Sequence, residues 1–181
     1  MADIATLTPG TWNVDTSHSR VGFVARHLMI AKTRGHFTTF SGTITVADDP
    51  LSSSVEASVD ATSITTDDAN RDGHLKSADF FDAENHPTWA LKSTGIKADG
   101  GDYVLTADLT IRGVTRSVDF ELEFEGVTKD PWGNTKAGFT ASTEISRKDF
   151  GLEWNVALDT GGVLVGDKVK IELEIEAAKA A

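Results

Sequence analysis

The side chains best suited to acid–base work or metal ligation in this chain are five histidines, His18, His27, His36, His74 and His86. Neutral imidazole titrates near neutrality and binds zinc, copper, nickel and iron. No pair of them stands at a spacing diagnostic of a metal site, and no cysteine is present to add a thiolate ligand, a nucleophile or a disulfide. The Gly-x-Ser-x-Gly, Gly-x-Gly-x-x-Gly and His-Glu-x-x-His signatures are missing from the sequence. The glycine-rich run 161–168 approaches a phosphate loop, but Asp167 stands where lysine is required and a strand pattern follows it instead of a helix. These residues therefore predict neither a metal site nor a catalytic group.

Arg71-Asp72-Gly73-His74-Leu75 is the most chemically suggestive cluster. On a helix Arg71 and His74 share a face while Asp72 points elsewhere, so an Asp–His dyad is awkward there. The pair either holds a short helix against a strand end or contacts the polar head of a ligand. Strand parity picks out a second set. His27 alternates in step with Val21, Phe23 and Ala25, Arg116 with Val118, Phe120 and Phe124, and Arg147 with Phe139 and Ile145. All three fall at strand ends, which predicts a ring of polar tips around one opening. A bulge or a strand end would turn any of them to solvent or to an acid instead.

The elements that must carry these groups are strands. Alternation of apolar and polar residues recurs along nearly the whole chain, for example through Phe40, Gly42, Ile44 and Val46, through Tyr103, Leu105, Ala107, Leu109 and Ile111, and through Val169, Ile171, Leu173 and Ile175. The opposite faces are polar, as in Glu121, Glu123 and Glu125, and read as solvated. Turn signals such as Asp99-Gly100-Gly101 and Arg112-Gly113 separate about eight strands. The rhythm lapses only around 66–81, where Leu75, Ala78 and Phe81 follow the acidic pair Asp67-Asp68 at helical spacing and predict one short helix near 67–81. Long strands, each with one apolar face, must bury those faces together. Their length favours an antiparallel up-and-down β-barrel over a sandwich.

Residues 1–181 read as a single domain, without repeats, linkers or low-complexity tracts. The formal charge of −11 opposes binding to nucleic acid and to anionic lipid surfaces. No run is long and apolar enough to span a bilayer, and Met1 to Thr8 lack the pattern of a signal peptide, which makes a cytoplasmic location the expectation.

The sequence also carries a family likeness. Trp12-Asn13-Val14-Asp15, His18-Ser19, Phe23 and His27 are followed by Gly35, Phe37, Phe40 and Gly42, then by Arg71 to Leu75, Asp79-Phe80-Phe81-Asp82 and His86-Pro87. Leu109 to Thr115 and Arg147-Lys148-Asp149-Phe150-Gly151 complete the set. Together they resemble the YceI-like family of polyisoprenoid-binding, lipocalin-like proteins, from about Thr11 to Glu176. The resemblance implies an extended lipocalin-like barrel that holds an isoprenoid lipid, a polyprenyl phosphate or a quinone, in its interior, and it makes a homodimer an expectation. Joined to side-chain parity, it implies a ligand-binding set of Val21, Phe23, Phe37, Phe40, Trp89, Leu109, Ile111, Phe120 and Phe139, with His27, Arg71, His74, Arg116 and Arg147 as polar contacts. The expected partner is an apolar, lipid-like small molecule, no cofactor is required, and binding or transport without chemistry is the first reading. Two alternatives stand beside it: an enzyme that uses His27 or His74 as acid or base in the same pocket, and a stress-related interaction protein.

Overall fold

Strand formation follows the alternation closely, and in the computed structural model, which describes residues 2–181, eleven strand segments form one antiparallel sheet. They are β1 (Gly10–Val14), β2 (Arg20–His27), β3 (Ala31–Phe37), β4 (Phe40–Val46), β5 (Ser54–Asp60), β6 (Ile64–Thr65), β7 (Thr88–Asp99), β8 (Asp102–Ile111), β9 (Val114–Lys129), β10 (Thr135–Ser146) and β11 (Val165–Lys179). Three pairs of segments are halves of one long strand. β1 leads into β2 through a 3₁₀ turn at Thr16–His18, β3 into β4 through residues 38–39, and β5 into β6 through a 3₁₀ turn at Ala61–Ser63. Counted this way, the sheet is an eight-stranded barrel.

The barrel closes between its first and last strands. Near one end Trp12, Asn13 and Val14 pair with Lys179, Ala178 and Ala177. Further along, β11 leaves β1 and pairs with β2, from Glu174 opposite Arg20 to Val169 opposite Ala25. We call the end that carries the β7–β8 and β9–β10 turns the upper end, and the end that carries the β2–β3 and β8–β9 turns the lower. Closure leaves each strand of the barrel with two neighbours, which removes the free edges an open sheet would present.

The predicted helix is shorter than the 67–81 stretch. α1 spans Ala69–Lys76, with Asp68 accepting a hydrogen bond from the Arg71 amide at 3.0 Å as its N-cap. It stops where Ser77 turns extended, and successive turns then bury Phe80, Phe81 and Ala83. The helical spacing of Phe81 thus reflects burial by a turn. This segment, together with a 3₁₀ turn at Arg147–Phe150, packs under the lower end, where Phe37, Phe81, Leu109, Ile111, Phe150 and Leu152 share one buried cluster. A second cluster around Trp12, Val46 and Phe124 closes the upper end.

Two hairpin turns at the lower end contrast. At the β8–β9 turn Arg112 and Gly113 both have positive φ, and Gly113 leaves room for the His86 ring, which a Cβ there would meet at 2.9 Å. At the β2–β3 turn the corresponding left-handed positions are held by Leu28 and Met29, with φ of 54° and 63°, and the Ile30 amide donates to the His27 carbonyl at 3.2 Å. Asparagine and glycine are the usual occupants of such a turn, and each bulky residue costs about 1 kcal/mol there.

Candidate ligand-binding cavity

The inward faces of the strands do not meet in the middle of the barrel. They enclose an elongated cavity of about 280 Å³, lined from Ile4, Leu7 and Leu51 at the upper end to Leu75, Phe81 and Arg147 at the lower. Ten of the fourteen residues expected at the ligand lie in its wall: Val21, Phe23, Phe37, Phe40, Trp89, Leu109, Ile111, Phe120, Phe139 and Arg147. Alternation finds eight of the nine apolar ones because each sits at an inward position of a regular strand, and Phe37 comes from the residues that carry the family resemblance. Their packing is aromatic in the lower half. Trp89 stands edge-on to Phe37 and to Phe81, each at a centroid distance of 4.8 Å, and Phe23 lies 6.1 Å from Phe37. The Phe23 ring lies across Gly35, where a Cβ would come within 2.6 Å of it, so glycine is what lets this ring lie against the sheet.

Two residues of the lower half carry polar groups, which lie behind a wall surface that is itself almost wholly apolar. The Arg147 side chain is 4% exposed and donates from Nε to the Gly166 carbonyl at 2.9 Å, from one terminal nitrogen to Leu152 at 2.7 Å and from the other to Val165 at 3.3 Å. Burial pulls its pKa below the ordinary value, against the raising influence of Asp167, and the guanidinium stays cationic at neutral pH. The second group is Trp89. Its Nε1–H is buried and has no hydrogen-bond partner. An unpaired donor in an apolar surround costs about 1–3 kcal/mol, which an acceptor brought by a ligand would relieve.

The other four expected residues lie outside the wall, and each departure has a local cause. His27 is exposed on the last residue of β2, opposite Ala31, beyond the point where the β2–β11 register shifts. Arg116 keeps the parity of Phe120 and sits opposite the buried Leu109, but it is exposed and donates to the Thr115 carbonyl at 3.1 Å; its long stem takes the charge to solvent. The ring of His27, Arg116 and Arg147 therefore reduces to Arg147. Arg71 donates to the Thr66 hydroxyl and carbonyl, both at 2.7 Å, and holds α1 against the end of β6. His74 bonds Asp79 at 2.9 Å and packs edge-on to Phe80 and Trp154. Neither histidine assigned to acid–base chemistry lines the cavity.

Residues that the alternation could not reach complete the lower wall. Leu75 comes from α1, Phe80 and Phe81 from the turns after it, and Leu152 from the segment after β10. Irregular backbone has no parity to read, and the signals there are the helical spacing of Leu75 and Phe81 and the motifs Arg71 to Leu75 and Asp79-Phe80-Phe81-Asp82. Its neighbour Arg112, from Leu109 to Thr115, bonds the carbonyls of Phe80 and Gly151 at 3.1 and 3.2 Å and so fixes both irregular segments beneath the barrel.

On the outer surface Asp15, His18 and Glu176 converge closely enough to hold a cation, but the Lys136 ammonium is already there, 2.8 Å from Asp15 and 3.7 Å from Glu176. The hydrogen bond from Lys136, with those from Ser17 and His18, holds the Asp15 carboxyl well below the usual carboxylate range.

Known proteins share this fold. A family model described as the YceI-like domain matches residues 12–177. Protein YceI of Escherichia coli is 39% identical over 137 residues, which are 75% of this chain and 72% of that protein. BcnA of Burkholderia cenocepacia superposes with a TM-score of 0.74 at 25% identity, over 90% of this chain and 98% of its own. A structure from Saccharophagus degradans, described as a polyisoprenoid binding domain implicated in plant cell wall breakdown, gives a TM-score of 0.72 at 16% identity, over 96% of this chain and all of that one, a likeness of fold. On the extent of the family match and the identity to its members, this chain belongs to the YceI-like family.

Proposed function

We propose that this protein binds and carries, or sequesters, one slim isoprenoid lipid of the polyprenyl phosphate or quinone type inside its barrel, and performs no chemistry on it. The observation that carries the reading is the cavity itself, apolar along the barrel and contacted by almost every strand. At about 280 Å³ it lies just under the usual range for small-molecule sites, roughly 300–1,000 Å³, which suits a narrow hydrocarbon chain better than a fused-ring lipid. The polyisoprenoid-binding description of the Saccharophagus relative supports the same class.

Arg147 and the unpaired Trp89 Nε1–H give the cargo a direction. Both belong to the lower half of the wall, so an oxygen-bearing end lies there and the hydrocarbon runs toward Leu51. Mass spectrometry of an organic extract from protein purified out of its own host tests the reading. A stoichiometric isoprenoid is the expected result, and an extract without lipid removes the proposal. Trp89→Phe then keeps the ring packing and deletes the donor. A carbonyl-bearing isoprenoid should lose about tenfold in affinity while a plain polyprene hydrocarbon loses nothing. Equal losses for the two ligands would put the polar end elsewhere.

A further inference from the structure

Three features coincide at the β2–β3 hairpin. Its tip exposes large aliphatic side chains: Leu28 at 38%, Met29 at 49% and Ile30 at 83%. Val156, 46% exposed, lies one segment away, since Leu164 accepts from the Leu28 amide at 2.8 Å and donates to the Val156 carbonyl at 2.9 Å. The backbone is strained at the same place, with Leu28 and Met29 both left-handed. Finally, residues 16–47 contain Arg20, Arg26, Lys32 and Arg34 and no acid, a local charge of +4 against −15 for the remainder.

The cations near the tip oppose one another. Arg26 pairs directly with Lys32 across the ladder, one residue pair short of the turn, with Arg34 two positions further along β3. All three are exposed, and none of the ion pairs among the described residues includes them. Like charges facing across a ladder destabilise it, and so does a strained turn. A hairpin with exposed aliphatics, opposed cations and a strained turn is arranged for a partner that is apolar within and anionic at its surface. That is the chemistry of an anionic bilayer, whose phosphates overlie hydrocarbon.

We propose that the β2–β3 hairpin is a membrane-docking element, which lowers Leu28, Met29, Ile30 and Val156 into the interfacial layer of an anionic bilayer while Arg26, Lys32 and Arg34 meet its phosphates. The whole-chain charge of −11 does not prevent this. At physiological ionic strength charges are screened beyond about 8 Å, so the acids of the upper end do not reach the membrane, while exposed acids of the lower end, among them Asp67, Asp68, Asp79 and Asp149, require that the hairpin tip meet the bilayer ahead of the α1 segment. Among the described residues no helix is long and apolar enough to cross a membrane, and the contact is with its surface. Docking brings the Arg147 end of the cavity toward the lipid. The proposal rests on the surface alone and holds whatever the cavity contains.

Flotation of the full chain with vesicles of phosphatidylcholine, or of phosphatidylcholine mixed with phosphatidylglycerol, tests it. Binding to the mixed vesicles is expected, weakening as salt is added. Each cation removed should cost about fivefold in partitioning, so Arg26→Gln with Lys32→Gln should lose roughly 25-fold. Ile30→Asp should lose about tenfold or more with its thermal midpoint unchanged, because the side chain is 83% exposed. Wild-type protein that does not float with anionic vesicles, or Ile30→Asp that floats as well as wild type, overturns the proposal. So does a molecular mass that doubles with concentration only when Ile30 is present, which would assign the tip to a second copy of the chain. The lipid-extract measurement reads the cavity independently, so the two ideas fail separately.

Discussion

The two ends of the barrel treat charge in opposite ways, although each leaves a large apolar side chain in solvent, Trp132 above and Ile30 below. At the upper end Lys136 lies between Asp15 and Glu176, Lys179 donates to Thr8 and stands 5.9 Å over the ring of Trp12, and Trp12 itself is fully buried. At the lower end Arg26 faces Lys32 without an acid, and Ile30 is left in solvent. Both arrangements use the same residue types. Groups that are paired within the chain are spent on holding it together, whereas groups left opposed or exposed are available to something outside it.

The largest expected effect belongs to the upper end. Trp12→Ala empties a fully buried site and removes the indole hydrogen bond to the Thr8 carbonyl at 3.0 Å, and should cost about 3–5 kcal/mol in urea unfolding. A loss below 1 kcal/mol would erase the distinction between the ends. A smaller effect of opposite sign is expected below. Replacing Leu28 and Met29 by Asn and Gly relieves two left-handed bulky residues and should stabilise the fold by about 1–2 kcal/mol while weakening vesicle binding. Greater stability with undiminished docking would separate the strain from the function. The smallest effect is Asp15→Asn, and it is confined by pH. The Asp15 carboxyl titrates lower in the folded chain than in the unfolded one, so its contribution is present at neutrality and is lost as pH falls below about 4 toward the folded value. Wild type and variant should therefore differ in thermal midpoint at pH 7 and draw together as the pH falls below about 4, and a difference that does not shrink between pH 5 and pH 2 would assign the effect to packing.

The barrel was legible because alternation is a local property that survives closure into a cylinder. Val21, Phe23, Leu109 and Phe120 could be placed on the cavity wall without any knowledge of their neighbours. The polar contacts were less legible for a physical reason. Parity gives the direction in which a Cβ leaves the strand, but Arg116 has a stem long enough to reverse that direction, and His27 sits where the strand outruns the barrel. Arg71 and His74 kept the structural role that their helix spacing also allowed, with Asp79 as the partner of the histidine. The basic hairpin was hidden by summation: a net charge averages +4 and −15 into a number that describes neither region.

Closure of the barrel by its two outermost strands has a consequence for how the chain folds. Lys179 bonds Thr8 across 171 positions, and the Ser19 hydroxyl bonds Glu176 across 157. Such contacts form only after a long loop has been drawn together, so the entropy of ordering comes early and its compensation late. Until β11 slots between β10 and the β1–β2 strand, the apolar wall of the future cavity stands open. In any chain whose last strand has not yet docked, the cavity is a trough instead of a tunnel, and a hydrophobic molecule met at that moment needs no doorway to enter.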